Sequence, residues 1–435
     1  MRRVLIVSPH FPPLNAPDLQ RVRISLPHYR QFGWEPVVLT VRDDLQLGVR
    51  EPELLSTVPS DVTILRANGL PPRLARLAGV GNVALRTWPG LLRTGGRFLR
   101  EAKCDLVFFS NTQFMSFTLG PLWRRRFGVR YVLDFQDPWL TDYYERPGSP
   151  RPPGGWKYRF SRWQARAFEG PCVRGAAGLM SVSPSYLGDL AARYPSAAGL
   201  PSAVLPFGVS PADLERARAE PAGGSSPFPR AEGQIHFVYT GAVGPIMAPA
   251  LRGLLSAVAD LQRREPLTAR RARFHFIGTS YAAPGSGVPS VKPIAREFGV
   301  EDLVEESPHR VGYLEAARLQ QQADCLLLLG STDPAYSPSK IYLNYLTGRP
   351  MLAIVYRGSE MERRLEELRC ARLIRLGSPT DPGVAAAALS ESLRAALQGK
   401  PIGGETGRND AFFRSNYLAE ELTRRQCALF DAALA

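Results

Sequence analysis

Tyr336-Ser337-Pro338-Ser339-Lys340 stands after an apolar run that ends Leu329-Gly330-Ser331, and it opens the helical pattern Ile341–Thr347. Ser337 suits the N-cap and Pro338 the first helical position. With Ser339 they leave unpaired amides pointing outward beside the Lys340 ammonium. The same residues also fit a plain capped helix with a solvated lysine; as a ligand site they form an anion cradle. A second place of this kind is Tyr239-Thr240-Gly241-Ala242-Val243-Gly244, between a strand pattern and a helical one. Gly241 and Gly244 there let backbone amides approach an anion, or simply mark a turn. Asp134-Phe135-Gln136-Asp137-Pro138-Trp139 ends another apolar run with two carboxylates. Asp134 and Asp137 suit holding sugar hydroxyls or accepting a hydroxyl proton, or else they cap a loop ahead of Pro138. His10, in Pro9-His10-Phe11-Pro12-Pro13-Leu14-Asn15, follows the first apolar run, and the next helical pattern carries Arg21 and Arg23.

Other chemistries are disfavoured by the residue types. The Gly-x-Gly-x-x-Gly that brings backbone against a dinucleotide pyrophosphate is missing after the first strand pattern, which weighs against an oxidoreductase. The five histidines, His10, His28, His236, His275 and His309, show no ligand spacing, and no Asp-x-Asp occurs near the paired carboxylates. A metal site is therefore not expected. His236 and His275 fall inside strand patterns and read as structural. Five widely separated cysteines with no Cys-x-x-Cys make disulfides and a zinc site equally unexpected.

The elements that must carry these residues alternate short apolar runs with longer amphipathic segments, the pattern of a parallel sheet with helices on both faces. Strands are expected near 3–8, 35–41, 62–66, 105–110, 130–134, 178–182 and 203–206, and again at 235–240, 273–278, 325–329, 351–356 and 372–376. This α/β arrangement gives an N-terminal Rossmann-like domain over 1–209 and a C-terminal one over 235–409. Residues 210–234, rich in Pro, Gly, Ser and Ala, are expected as a linker, and 410–435 as one closing helix. Ligands in such sheets bind beyond the carboxyl ends of the strands, where every segment described above falls.

The chain has 435 residues, 44% of them hydrophobic, enough for two or three domains with sizeable cores. No uninterrupted apolar run is long enough to span a bilayer, and the apolar run before Pro9 is too short for a signal peptide, so a cytoplasmic protein is expected. The net charge of +14 is uneven: residues 1–200 carry 27 Lys+Arg against 15 Asp+Glu, the remainder 27 against 25. Segments 73–103 and 156–163 interleave Arg and Lys with Trp, Phe and Leu, which suits either an anionic membrane surface or a solvated basic face over core aromatics. No recognition motif for nucleic acid accompanies the charge.

Taken in order, the landmarks are Val4-Leu-Ile-Val-Ser-Pro-His-Phe-Pro-Pro, Gly33-Trp-Glu-Pro-Val-Val-Leu-Thr, Cys104-Asp-Leu-Val-Phe-Phe-Ser and Tyr131-Val-Leu-Asp-Phe-Gln-Asp-Pro-Trp. Ser181-Val-Ser-Pro-Ser-Tyr-Leu, Leu205-Pro-Phe-Gly-Val, Phe237-Val-Tyr-Thr-Gly, Phe276-Ile-Gly-Thr, Gln322-Ala-Asp-Cys-Leu-Leu-Leu and Ser337-Pro-Ser-Lys-Ile-Tyr-Leu-Asn-Tyr-Leu-Thr-Gly-Arg-Pro follow. In this order they resemble the GT-B glycosyltransferases of the group four-like, retaining type. The resemblance implies two Rossmann-like domains facing each other across a cleft, with the C-terminal helix crossing back to the N-domain. It implies a nucleotide-diphosphate-sugar as co-substrate, no cofactor and no metal, and a sugar or lipid-linked acceptor in cell-envelope, polysaccharide or glycoconjugate synthesis. By the same resemblance Gly241, Gly244, Ser337, Ser339 and Lys340 hold the donor phosphates, and Thr279, Pro308 and Arg310 border the nucleoside. Asp134, Asp137 and His10 serve the reaction, and Asn15, Arg21 and Gln136 meet the acceptor. The chain departs from the pattern where the family carries two Glu eight positions apart, which here are Ala335 and Leu343, and where Phe207 replaces the Asn of an Asn-Gly hinge. A catalytically inactive nucleotide-sugar-binding paralogue therefore stands as the alternative.

Overall fold

The computed structural model describes the chain from Met1 to Ala435 apart from residues 78–80, 142–144, 146–154, 220–227, 229–231, 281–285, 334–335, 337–338, 378–382, 401 and 403–406. It divides into two units, Met1–Gly208 with Asn416–Ala435, and Val209–Ser415.

In the first unit, β1 (Arg2–Val7), β2 (Trp34–Val41), β3 (Thr63–Ala67), β4 (Leu106–Ser110), β5 (Arg130–Phe135), β6 (Gly178–Ser181) and β7 (Ser202–Val204) form one parallel sheet, in the order β3-β2-β1-β4-β5-β6-β7. Alternation along β1 sends Leu5 and Val7 to one face with Leu39 and Phe109, and Val4 and Ile6 to the other with Val38 and Phe108. Both faces need cover, which is why these strands read as unbroken apolar runs. The helix Val83–Glu101 covers the first face: Leu91 is buried, and Trp88, Leu92, Phe98 and Leu99 pack on that core. The helix Val83–Glu101 thus turns Trp88, Leu91, Leu92, Phe98 and Leu99 inward, because a two-faced sheet has to be covered on this side.

The other face is covered from the far end of the sequence, where the Phe430 ring lies 4.9 Å from Phe108 and 5.3 Å from Trp34. The closing segment is two helices, not the single one expected over 410–435. Asp410–Tyr417 begins in the second unit, where Phe413 stacks on Tyr345 at 4.0 Å, and Ala419–Leu434 belongs to the first. Leu418, with extended backbone, separates them. The two halves bury their apolar residues in different cores.

The second unit repeats the plan with β8 (Ile235–Thr240), β9 (Ala272–Ile277), β10 (Val304–Ser307), β11 (Cys325–Leu329), β12 (Met351–Tyr356) and β13 (Arg372–Leu376), ordered β10-β9-β8-β11-β12-β13 and all parallel. Strand β10 was not expected: Val304-Glu305-Glu306-Ser307 pairs only with β9 at the sheet edge, where one face need not be apolar. Residues 210–234 are not a plain linker either. Pro211–Ala219 is a helix with Leu214 and Ala217 buried, held by Gln321, whose side chain donates to the Leu214 carbonyl.

His236 of β8 and His275 of β9 lie ring to ring with nitrogens 2.9 Å apart, and Phe228 covers His275. Burial, with His236 alongside, pushes the His275 pKa down to about 4 even though Glu305 lies 3.1 Å from its other nitrogen. The unfolded chain takes up this proton near pH 6.5 and the folded chain only near 4, so folding stability should fall as pH drops through that window, by up to about 3 kcal/mol. Denaturant unfolding between pH 7 and 4.5 tests this: His275→Phe should flatten the decline relative to the wild type, and parallel curves would refute it.

Candidate functional site

In both sheets the strand order reverses beside the first strand of the unit, between β1 and β4 and between β8 and β11. A crevice opens beyond the carboxyl ends of the strands at such a point. The loops that follow these strands carry most of the residues expected to do chemistry.

In the second unit, Gly241 follows β8 with φ +118°, a conformation that favours glycine. A Cβ there would stand 2.7 Å from the Lys340 Nζ, so the absent side chain is also what lets the ammonium approach the backbone. Lys340 opens the helix Lys340–Thr347 after the N-cap Ser339. Its Nζ donates to the Tyr239 hydroxyl at 2.9 Å and sits 4.1 Å from the centre of that ring. Among the described residues no carboxylate pairs with it, and burial pushes its pKa down to about 7. Tyr239 in turn donates to the Ala242 carbonyl at 2.9 Å, which fixes the ring under the loop. Space around Gly244 is open: a Cβ built there meets nothing within 4 Å.

Gly278, at φ +73°, brings the end of β9 beside this loop: a Cβ built on it would stand 3.9 Å from the Gly241 amide nitrogen and 3.8 Å from the Arg310 Cα. Sequence positions 241, 278, 310 and 340 therefore meet at one place. Arg310 is exposed at its rim, with Pro308 half-buried behind it. Thr279 is buried and not open to a ligand. Its hydroxyl donates to Glu306 at 2.6 Å, and Glu306 also accepts from the amides of Ser290, Val291 and Lys292, pinning the loop to the next helix start. Ser337, expected in the cradle, and Ala335 lie outside the described residues. Leu343 is buried in the helix, so an apolar side chain occupies the position where the family pattern has its second Glu.

In the first unit the structure separates the two carboxylates that the sequence presents together. Asp134 is 0% exposed and pairs with Arg21, Nε to Oδ2 2.8 Å, while the hydroxyl of Ser110 donates to it at 2.8 Å and the amide of Gln136 at 3.2 Å. Arg21 also donates to the Leu205 carbonyl at 2.7 Å, and Gln136 to the Asp18 carbonyl at 3.1 Å. Asp134, Arg21 and Gln136 thus form a sealed polar knot that ties β5 to the loops around it. Asp137 is exposed on the next turn of chain, and the protein wall behind it, with the Asp18 charge, raises its pKa.

His10 comes next to Asp18, 3.0 Å from each carboxylate oxygen. Burial would raise the Asp18 carboxyl, but the His10 contact and the amide and hydroxyl of Thr112 outweigh it and hold the pKa below the ordinary value. Asp18 was missed from sequence; its only signal is a carboxylate eight residues beyond a strand-end histidine. Asn15 is buried, its amide bonded to the Val49 carbonyl at 2.8 Å. Glu169 was also missed. It accepts from the Leu140 amide at 2.9 Å and is gripped by Arg193 and Tyr194, so it anchors the loop that carries Asp137. Among the described residues no cluster of three or more His, Cys, Asp or Glu could hold a metal ion.

Residues 21–208 match the family model described as a glycosyl transferase 4-like domain. HepE of Anabaena, solved in complex with UDP, aligns over 98% of this chain and 99% of its own, with TM-score 0.56 and 12% identity. The α,α-trehalose-phosphate synthase (UDP-forming) of Burkholderia xenovorans, solved with glucose-6-phosphate, aligns over 98% of each chain with TM-score 0.55 and 12% identity. WaaG, a glycosyltransferase involved in lipopolysaccharide biosynthesis, aligns over 99% of this chain and 97% of its own, with TM-score 0.52 and 14% identity. No curated protein matches the chain in sequence. The fold is GT-B, two parallel-sheet α/β units in one chain. The residues that match the glycosyl transferase 4-like model lie in its first unit.

Proposed function

We propose that this chain transfers a glycosyl group from a nucleoside diphosphate sugar to an acceptor hydroxyl. The observation that carries the reading is Lys340: a buried ammonium with no carboxylate partner among the described residues, at a helix start, against a glycine loop. A cation left desolvated in this way gains most from an anion, and amides at helix starts gain from the same anion. The diphosphate would lie over Gly241 and Gly244 with Ser339 and Lys340, and the nucleoside would lie toward Pro308 and Arg310. Thr279 acts through Glu306 to hold the loop. On the other unit Asp137 and His10 face the acceptor, and Arg21, Gln136 and Asn15 support them from beneath.

We read the transfer as retaining. Cations and amides stabilise the charge on the leaving diphosphate, whose oxygen takes the acceptor proton on the same face of the sugar. The relatives solved with UDP and with glucose-6-phosphate support a nucleotide-sugar donor and a sugar acceptor. A cell-envelope, lipid-linked acceptor is the finer reading, supported by the likeness to WaaG. Leu343 favours a second reading, a nucleotide-sugar binder without turnover, because no carboxylate stands at that place to hold sugar hydroxyls.

A thermal-shift titration with UDP, GDP, ADP, CDP and dTDP tests the donor site. At about 100 times its Kd, the matching nucleotide adds roughly 2.7 kcal/mol of stability. No shift with any of the five would defeat both readings, whereas a shift without sugar transfer or donor hydrolysis would favour the second.

A further inference from the structure

The helix Trp156–Gly175 begins with three large aromatic residues that the fold leaves in solvent: Trp156 is 64% exposed, Phe160 47% and Trp163 58%. Their spacing by four and three positions places them on one stripe of the helix, and Phe160 stacks on Trp163 with centroids 5.8 Å apart. At 100° per residue, Lys157 falls on one flank of the stripe, and Arg159 and Arg166 fall on the other. From Trp156 through Phe168 the helix has no Asp or Glu, and the carboxylate that reaches it, Glu145, pairs with Arg162 and lies 4.0 Å from Arg166, leaving Lys157 and Arg159 as the cations beside the rings. The opposite side of the same helix buries Ala165 and Cys172, so the stripe is surplus to the core. In this respect it differs from the Arg-rich segment 73–103, whose aromatics are packed inward.

We infer that this stripe is a docking surface for an anionic lipid bilayer, with Trp156, Phe160 and Trp163 set at the headgroup boundary and Lys157 and Arg159 meeting lipid phosphates. Several features of the stripe select that occupant. Its apolar members are aromatic, and two of them are Trp, whose amphipathic ring settles at the boundary between headgroups and acyl chains. Cations flank it on both sides, where long side chains reach outward while the rings go in. The unit that bears it holds most of the excess positive charge, 27 Lys+Arg against 15 Asp+Glu in residues 1–200. A second copy of this chain would bring the same cations onto these and be repelled. No described helix is long and apolar enough to cross a membrane, so the contact would be peripheral. The inference deepens the reading of a lipid-linked acceptor but does not need the donor site, since vesicle binding and nucleotide binding are read separately.

The test is flotation of the full chain with phosphatidylcholine vesicles, with and without one-third phosphatidylglycerol, at low and high salt. Intrinsic tryptophan fluorescence is recorded in parallel. The wild type should float with the anionic vesicles only, release in high salt, and shift its emission to shorter wavelength. Lys157→Gln with Arg159→Gln should weaken binding roughly 30-fold, at about a fivefold loss for each lost cation. Trp156→Ser with Phe160→Ser and Trp163→Ser should abolish it; the three side chains are exposed, and an unchanged far-ultraviolet circular dichroism spectrum and denaturant midpoint confirm that the variant is folded. No flotation of the wild type at low salt would overturn the inference. Equal flotation of the triple variant would do the same, as would self-association that the triple variant abolishes without any vesicle binding.

Discussion

Lys340→Met should weaken nucleoside diphosphate binding roughly 100-fold, the upper end of what one hydrogen bond to a charged group contributes, while making the ligand-free protein more stable. The two effects have one cause. Burial holds the ammonium near a pKa of about 7, with only the Tyr239 hydroxyl and ring to replace water. In the unfolded chain the same lysine titrates near 10.4, so the unfolded state binds more protons between pH 7 and 10, and stability rises with pH across that window. Methionine removes the charge but keeps the stem, and the expected gain in the free protein at neutral pH is on the order of 2 kcal/mol, allowing for partial solvation of the side chain. A bound diphosphate reverses the balance by supplying the missing counter-charge. Affinity should therefore be greatest below pH 7 and fall about tenfold per pH unit above it, until the pKa of the complex is reached. Calorimetry at pH 8 in two buffers of different ionisation heat should detect proton uptake on binding, and Lys340→Arg should keep binding while losing the pH dependence. Affinity that stays constant from pH 6.5 to 9, with no proton uptake, would contradict this account.

The second large effect separates the two carboxylates of the first unit. Asp134→Ala leaves Arg21 buried without its partner, and breaking a buried pair in this way costs about 3–5 kcal/mol. Denaturant unfolding should show a clear loss for the first unit, with Arg21→Met and the double variant Arg21→Met/Asp134→Ala showing the strong non-additivity of a shared knot. Asp137→Asn should leave stability within about 0.5 kcal/mol, because the side chain is exposed, and should lower the rate of transfer by 10- to 1,000-fold if it handles an acceptor proton. Stability unchanged in Asp134→Ala, or a large stability loss in Asp137→Asn, would reverse the assignment of the two residues.

Much of the architecture was legible in the sequence because parallel strands buried on both faces must be apolar along their whole length. Runs such as Val4-Leu5-Ile6-Val7 and Leu326-Leu327-Leu328-Leu329 therefore identify themselves. Edge strand β10 escaped because a strand paired on one side and partly solvated has no such signature. The Lys340 cradle was half legible: the helix start and its lysine lie in local sequence, and so does the glycine loop after β8. That they meet was decided by the sheet order β8-β11, and so was the role of Tyr239 as the only described group that takes a hydrogen bond from the ammonium.

Local sequence also placed Asp134 and Asp137 at the end of one strand, and it carried the alternation that points one of them inward. It did not show that Arg21, from the helix Gln20–Ser25, and Ser110, at the end of β4, are the inward partners, nor that neighbouring Gln136 turns in with them, since tertiary packing brings these groups together. The same division holds for the aromatic residues. Segments 73–103 and 156–163 look alike as strings of Arg with Trp, Phe and Leu. Only the tertiary structure decided that the first helix covers a sheet face that had to be buried, while the start of the second extends past the core and leaves its rings in water. Composition sets how much apolar surface must be hidden, but which residues hide it depends on where the elements meet, and that is a property of the folded chain.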